Sequence, residues 1–271
     1  MASKAMSRTA PLLLAHSTEP WSVSPPNAMW YDALKYIAKH KDISTFPKGL
    51  LVDADPYTYT ICDGYPKAQY HFLILPRIPF YVNYNEERTE VPESDMESIS
   101  TLLKSRFARD ILRRISDARD RLVVRIHESM KQSRVRPDGA YAYYPESEAD
   151  WGHTVWGVQS GFHNVPSMRH LHLHVISTDL VSQRLKRKKH YLSFHPGVEY
   201  WLPMEQAQQW VDQGRTQLPH APEYYESLLE GPFVALDGMP KTFSDLPEVK
   251  YYLKQRFSRV SSQQRMSDNR N

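Results

Sequence analysis

At 271 residues the chain is long enough for one large domain or for a domain with an appendage. Its 41% hydrophobic and 24% charged residues are ordinary for a globular protein, and no apolar run approaches the roughly 18–20 residues of a membrane span. A formal charge of +3 is too small to argue for nucleic acid by itself, and the single cysteine, Cys62, excludes an internal disulfide and fits a reducing compartment.

Residues 1–26 are rich in Ser, Pro and Thr and read as a flexible arm. The apolar run Pro11 to Ala15 within them is too brief for a signal peptide. Asn27 is a candidate cap for a helix over 28–40, where Trp30, Ala33, Leu34 and Ile37 fall at helical spacing. Trp30, in the first turn, either packs on the core or projects beyond the domain. Residues 50–52 and 57–62 read as strands. Asp63-Gly64 is a turn signal, and the almost wholly apolar run 70–76 is expected to be a central strand, closing an antiparallel hairpin. From 94 to 131 apolar residues recur at threes and fours, which predicts one long amphipathic helix. Residues 134–150 read as a loop, and 154–161 as a strand.

His170-Leu171-His172-Leu173-His174-Val175-Ile176 follows, with three histidines alternating with apolar residues. Period two predicts a strand with all three imidazoles on one face and the leucines in a core. Cα atoms two apart on a strand lie roughly 6.5–7 Å apart, so neighbouring rings can converge on one phosphate-sized group. The alternative is a metal site, but three histidines along one strand with no nearby cysteine or carboxylate is not common ligand spacing. After this strand, Arg184, Lys186, Arg187, Lys188 and Lys189 are five cations within six residues, with His190 and Tyr191 next. They read equally as a solvated loop, a nuclear localisation patch or a phosphate-backbone contact. Helices are predicted over 203–213, 223–229 and 247–257, and the tail 258–271 reads as disordered.

The 170–176 run fits the histidine-triad signature, His-φ-His-φ-His-φ-φ, without departure. Residues 63–76 (DGYPKAQYHFLILP), 161–168 (GFHNVPSM) and 185–194 (LKRKKHYLSF) resemble the aprataxin branch of that family, which removes AMP from abortive DNA ligation ends. The resemblance runs from about Trp30 to residue 200 and weakly to 257, and no length remains for the forkhead-associated domain of vertebrate members. It implies an α+β fold, an antiparallel sheet with flanking helices. A catalytic domain over 27–182 would precede a basic, zinc-finger-like segment over 183–257. By resemblance His172 is the nucleophile and forms an adenylyl-histidine intermediate. His174, with Ser167 and Met168, would hold phosphoryl oxygens, His163 would protonate or stabilise the departing 5′-phosphate, and His170 would orient. Asp63 would accept from ribose hydroxyls and Lys67 would contact the leaving strand. Trp30 occupies the family's wedge position, and Lys186, Lys188, Lys189 and His190 would meet DNA. The implied partners are broken or nicked duplex DNA and AMP, with no membrane, and the implied compartment is the nucleus.

The departure is C-terminal. Leu236 and Met239 stand at the family's zinc-cysteine positions, and Tyr252 and Arg256 at its helix-ligand positions. None is a usual zinc ligand. The expectation is a metal-free remnant, with no cofactor, around Leu236, Phe243, Val249 and Leu253. Two other functions stay open: a histidine-triad hydrolase of small adenylylated compounds, and a DNA-end binding module without catalysis.

Overall fold

The computed structural model describes residues 27–132, 157–236, 238 and 240–256. The expected arm, the 134–150 loop, the tail and Met239 lie outside the described residues.

Six strands form one antiparallel sheet in the order β1-β2-β3-β7-β6-β8. They are β1 Leu51–Ala54, β2 Thr58–Cys62, β3 His71–Pro76, β6 Val158–His163, β7 Leu173–Ser177 and β8 Trp201–Pro203. Every residue of β2, β3 and β7 is buried, as a sheet covered on both faces requires. Phe72 and Ile74 join the larger apolar cluster, with Ile111, Ile115, Leu122 and Ile126 of α3 (Ala108–Gln132). Leu73 and Leu75 point the other way, to Leu34 and Ile37 of α1 (Ala33–Lys39). The sheet is thus sandwiched, and His71 and His174, the latter opposite Leu73, belong to the face opposite α3. No helix among the described residues is long and apolar enough to cross a membrane.

Several elements differ from expectation. The predicted 94–131 helix is three pieces: a 3-10 turn Glu93–Met96, α2 Ile99–Leu102 and α3. Ser98 caps α2 by a reciprocal capping box with Thr101. At the next break the Ser105 hydroxyl accepts from the Phe107 N–H and donates to Asp95 at 2.6 Å, local bonds that compete with helix continuation. The first helix opens as a 3-10 turn Trp30–Asp32 before α1, and Asn27 is not its cap. A hairpin without an assignment from sequence, β4 Phe80–Tyr84 with β5 Glu87–Val91, turns at Asn85 and Glu86, both at positive φ.

α4 Lys188–Leu192, α5 Met204–Asp212 and α6 Pro222–Leu228 follow the triad strand. The C-terminal segment is a two-stranded ribbon, β9 Phe233–Val234 and β10 Thr242–Phe243, followed by helix α7 over 246–256. Phe243, Val249 and Leu253 are buried, and Leu236 packs against them. They do not form a small separate core. They are continuous with the main one.

Candidate active site

The triad is only partly a strand. β7 begins at Leu173, and His170 has φ +77°. That left-handed kink is uncommon for a non-glycine residue. Leu171 N–H to Met96 O and Arg169 N–H to Tyr31 O, both 2.7 Å, tie down the flanking chain. The three imidazoles therefore do not share one strand face. The His170 ring leaves the row and its Nε2 donates to the Pro76 carbonyl at 2.6 Å. Its own carbonyl accepts from His172 Nδ1 at 2.9 Å. His170 orients His172 through its backbone. Period two in the sequence could not show this, because the kink is set by contacts with residues 76 and 96.

The His172 bond fixes chemistry. With the proton on Nδ1, Nε2 carries the lone pair. Burial lowers the affinity of His172 for a second proton, against the His170 carbonyl and Asp63, which act the other way. His172 is thus a neutral imidazole with a free nucleophilic nitrogen. Its ring centroid lies 4.9 Å from that of His174, which in turn lies 4.5 Å from His163. Burial pushes His163 down to about 3 and His174 well below the ordinary histidine value. Their two Nε2 atoms are buried without a hydrogen-bond partner among the described residues. Buried polar atoms without a partner are rare in folded proteins, and two of those among the described residues fall in this cluster.

Gly161 lets β8 pack closely on β6 beside these rings. It pairs with His174 on one side and Pro203 on the other. A Cβ there would lie 2.5 Å from the Leu202 carbonyl and 2.7 Å from the Trp201 ring. Backbone cannot yield cheaply, so Gly161→Ala is expected to lower unfolding stability by about 1–3 kcal/mol, read as a lower denaturant midpoint. An unchanged midpoint would mean that β8 can move away from β6.

The other expected site residues are distributed unevenly. Asp63 is beside the histidines: its Oδ1 takes the Tyr65 N–H at 2.6 Å and its Oδ2 is 3.5 Å from His71 Nε2. Burial opposes its ionisation, but His71, Lys67 and the Tyr65 amide outweigh burial and hold it below the usual carboxylate range. Both oxygens thus face protein groups, where sequence reasoning expected a ribose contact. Lys67 is turned inward, its ammonium donating to the Tyr65 carbonyl rather than facing a leaving strand. Ser167 is exposed on the loop between His163 and His170, and Met168 packs against the α1 cluster.

Trp30 is 65% exposed, which excludes the core reading. It edges Tyr31, whose ring underlies the Arg169 guanidinium at 4.7 Å, so it stands beside the loop leading into the triad. Lys186 and Lys189 are exposed, and among the described residues neither is in an ion pair. Lys188 is diverted: its ammonium donates to the Glu230 carbonyl at 3.1 Å and lies 5.2 Å from the Phe233 ring. His190 Nδ1 accepts the Lys186 N–H, and burial first, then nearby Lys67, Lys189 and Arg187, lowers it to about 4, so it is neutral. Of the finger positions, Leu236 donates its N–H to the Tyr252 hydroxyl at 3.2 Å, and Arg256 donates to the Thr178 carbonyl at 3.0 Å. These side chains do not fit a zinc ion.

The chain is similar to known proteins. Residues 152–190 match the family model for the scavenger mRNA decapping enzyme C-terminal region. The chain is 31% identical over 153 residues to the aprataxin-like protein of Saccharomyces cerevisiae, covering 54% of this chain and 64% of that one. It is 31% identical over 142 residues to zebrafish (Danio rerio) aprataxin, covering 52% of this chain and 30% of that one. The chain thus spans less than two thirds of these relatives' length. A solved structure of the aprataxin ortholog Hnt3 in complex with DNA superposes with a TM-score of 0.55 at 17% identity, over 80% of this chain and 91% of that one. The chain is aprataxin-like. The shared fold is the antiparallel sheet with its flanking helices.

Proposed function

We propose that the aprataxin-like chain hydrolyses 5′-adenylates at DNA ends. The observation that carries this reading is a nucleophilic His172 Nε2 in one ring cluster with His163 and His174, whose Nε2 atoms have no partner among the described residues. His172 Nε2 attacks the phosphorus of the AMP moiety. A P–N bond forms, the anhydride P–O bond breaks, and the DNA leaves as a 5′-phosphate. His174 and His163 meet the phosphoryl oxygens, where preorganised groups aimed at developing charge stabilise it. Water then attacks the same phosphorus, the P–N bond breaks, and AMP departs with His172 neutral again. Lys186 and Lys189 support a DNA substrate, since each exposed cation can displace a counterion from the backbone. The DNA complex of Hnt3 supports the same choice.

The test offers 5′-adenylylated nicked DNA beside an adenylylated small molecule and measures AMP. The expected result is release from the DNA, with the Lys186→Ala, Lys189→Ala double variant flattening the salt dependence of DNA binding by up to about two units of slope. Release from the small molecule alone would make the chain a generic triad hydrolase. Binding without release would make it a DNA-end binding module.

The C-terminal ribbon and α7 work without zinc in this reading, held by the Tyr252 hydroxyl and the buried Phe243, Val249 and Leu253. Elemental analysis is expected to find no stoichiometric zinc, and a chelator to leave the melting temperature and AMP release unchanged. One tightly bound zinc per chain would overturn this.

A further inference from the structure

His71 has no part in the reaction just described, yet it touches the triad. It is 2% exposed and opens β3 opposite Ile176 of β7. Its Nδ1 lies 3.1 Å from the backbone nitrogen of Lys67. A backbone N–H can only donate, so Nδ1 holds a lone pair and the proton of the neutral ring is on Nε2. That Nε2 lies 3.0 Å from His174 Nδ1 and 3.5 Å from Asp63 Oδ2. A donor there makes His174 Nδ1 an acceptor. Neutral His174 then carries its own proton on Nε2, the buried nitrogen without a partner among the described residues.

We infer that His71 is a positioning residue: the Lys67 amide sets the tautomer of His71, and His71 sets that of His174, so that His174 presents an N–H to a phosphoryl oxygen. The inference rests on the proposed role of His174. Burial, the leading influence on both rings, pushes His71 to about 4 and His174 well below its ordinary value, which keeps one proton on each at neutral pH. The same atoms resemble a cation site, since Asp63, His71 and His174 each bring one ligand atom to within 4.8 Å of the others. A metal would need a lone pair on His71 Nε2. With Nδ1 already accepting the Lys67 amide, that requires an imidazolate beside the Asp63 carboxylate. The hydrogen-bond direction therefore argues for a tautomer relay over a metal site.

Nitrogen-15 spectra of the imidazole rings in the full chain near pH 7 test this without substrate. His71 and His174 are both expected to show protonated Nε2 and unprotonated Nδ1. His71→Phe keeps a ring against Phe194, now 5.0 Å from His71 between centroids, and removes the donor. In that variant His174 is expected to become a mixture of tautomers, and AMP release to fall roughly 2- to 12-fold, the range of one neutral hydrogen bond. A proton on His174 Nδ1 in the unmodified chain would overturn the inference, as would a folded His71→Phe chain in which His174 keeps a single tautomer. If the variant does not fold, the unmodified spectrum decides. Failure to release AMP counts against the proposed function alone, because the tautomers are read with no substrate present.

Discussion

His172→Ala is expected to abolish AMP release, with a loss of several orders of magnitude in kcat. Two of the neighbouring histidines are already engaged: His174 Nδ1 is taken by His71, and the His170 ring is committed to Pro76. Removing a group that acts only in the bond-making step lowers turnover far more than binding. His172→Asn separates the two quantities. Its amide can still donate to the His170 carbonyl, so the loop geometry is expected to persist and adenylylated DNA to bind with near-normal affinity. Rapid-quench assays and equilibrium binding on the two variants check both statements. Near-normal turnover by His172→Ala would place the nucleophile elsewhere.

Trp30→Ala is expected to weaken action on nicked DNA by roughly 5- to 150-fold and to leave a small adenylylated substrate almost untouched. An adenylate in a nick lies inside a stacked duplex. An exposed indole at the edge of the site can stack on the terminal base pair, and such stacking is worth about 1–3 kcal/mol. At 65% exposure Trp30 has little packing to lose, so the melting temperature is expected to hold. Equal losses on the two substrates with a fallen melting temperature would end the wedge idea. The measurement is a paired assay with a melting curve on one preparation.

Where side-chain alternation met full burial, the fold was legible: β2 and β3 lie within a residue of their expected bounds, and the triad does lead into a central strand. What failed depended on partners distant in sequence. The kink at His170 answers to Pro76 and Met96, and nothing in the local pattern announces it. The break before α3 is written in Ser105 and Asp95, but the apolar spacing continues across it and masked the signal. The 80–91 hairpin has the right alternation, yet its two-residue turn is Asn85-Glu86, without the glycine that usually marks the second position. In the site, residue types singled out His163, His172 and His174, which the fold brings together. The directions of Lys67, Lys188 and Asp63 required coordinates, because a long or forked polar side chain can face either way from the same backbone. His71 stood in a quoted motif all along, but one histidine opening an apolar strand carries no mark of function until the Lys67 amide is seen on its Nδ1.

The unbroken core beneath the C-terminal ribbon changes what that ribbon is to the histidine cluster. Phe194 lies edge-on or tilted against the rings of His71, His163 and His174 at 4.8–5.1 Å. Three residues before it, Tyr191 donates its hydroxyl to the Val234 carbonyl, and one residue after it, His195 Nε2 donates to the Ala235 carbonyl. The ribbon is therefore the rear buttress of the histidine pocket. A chain cut short before Phe233 would lose both anchors of Phe194, and the histidine rings would lose a wall. Damage at the far end of the polypeptide would then surface as sluggish chemistry, in a protein whose triad was never touched.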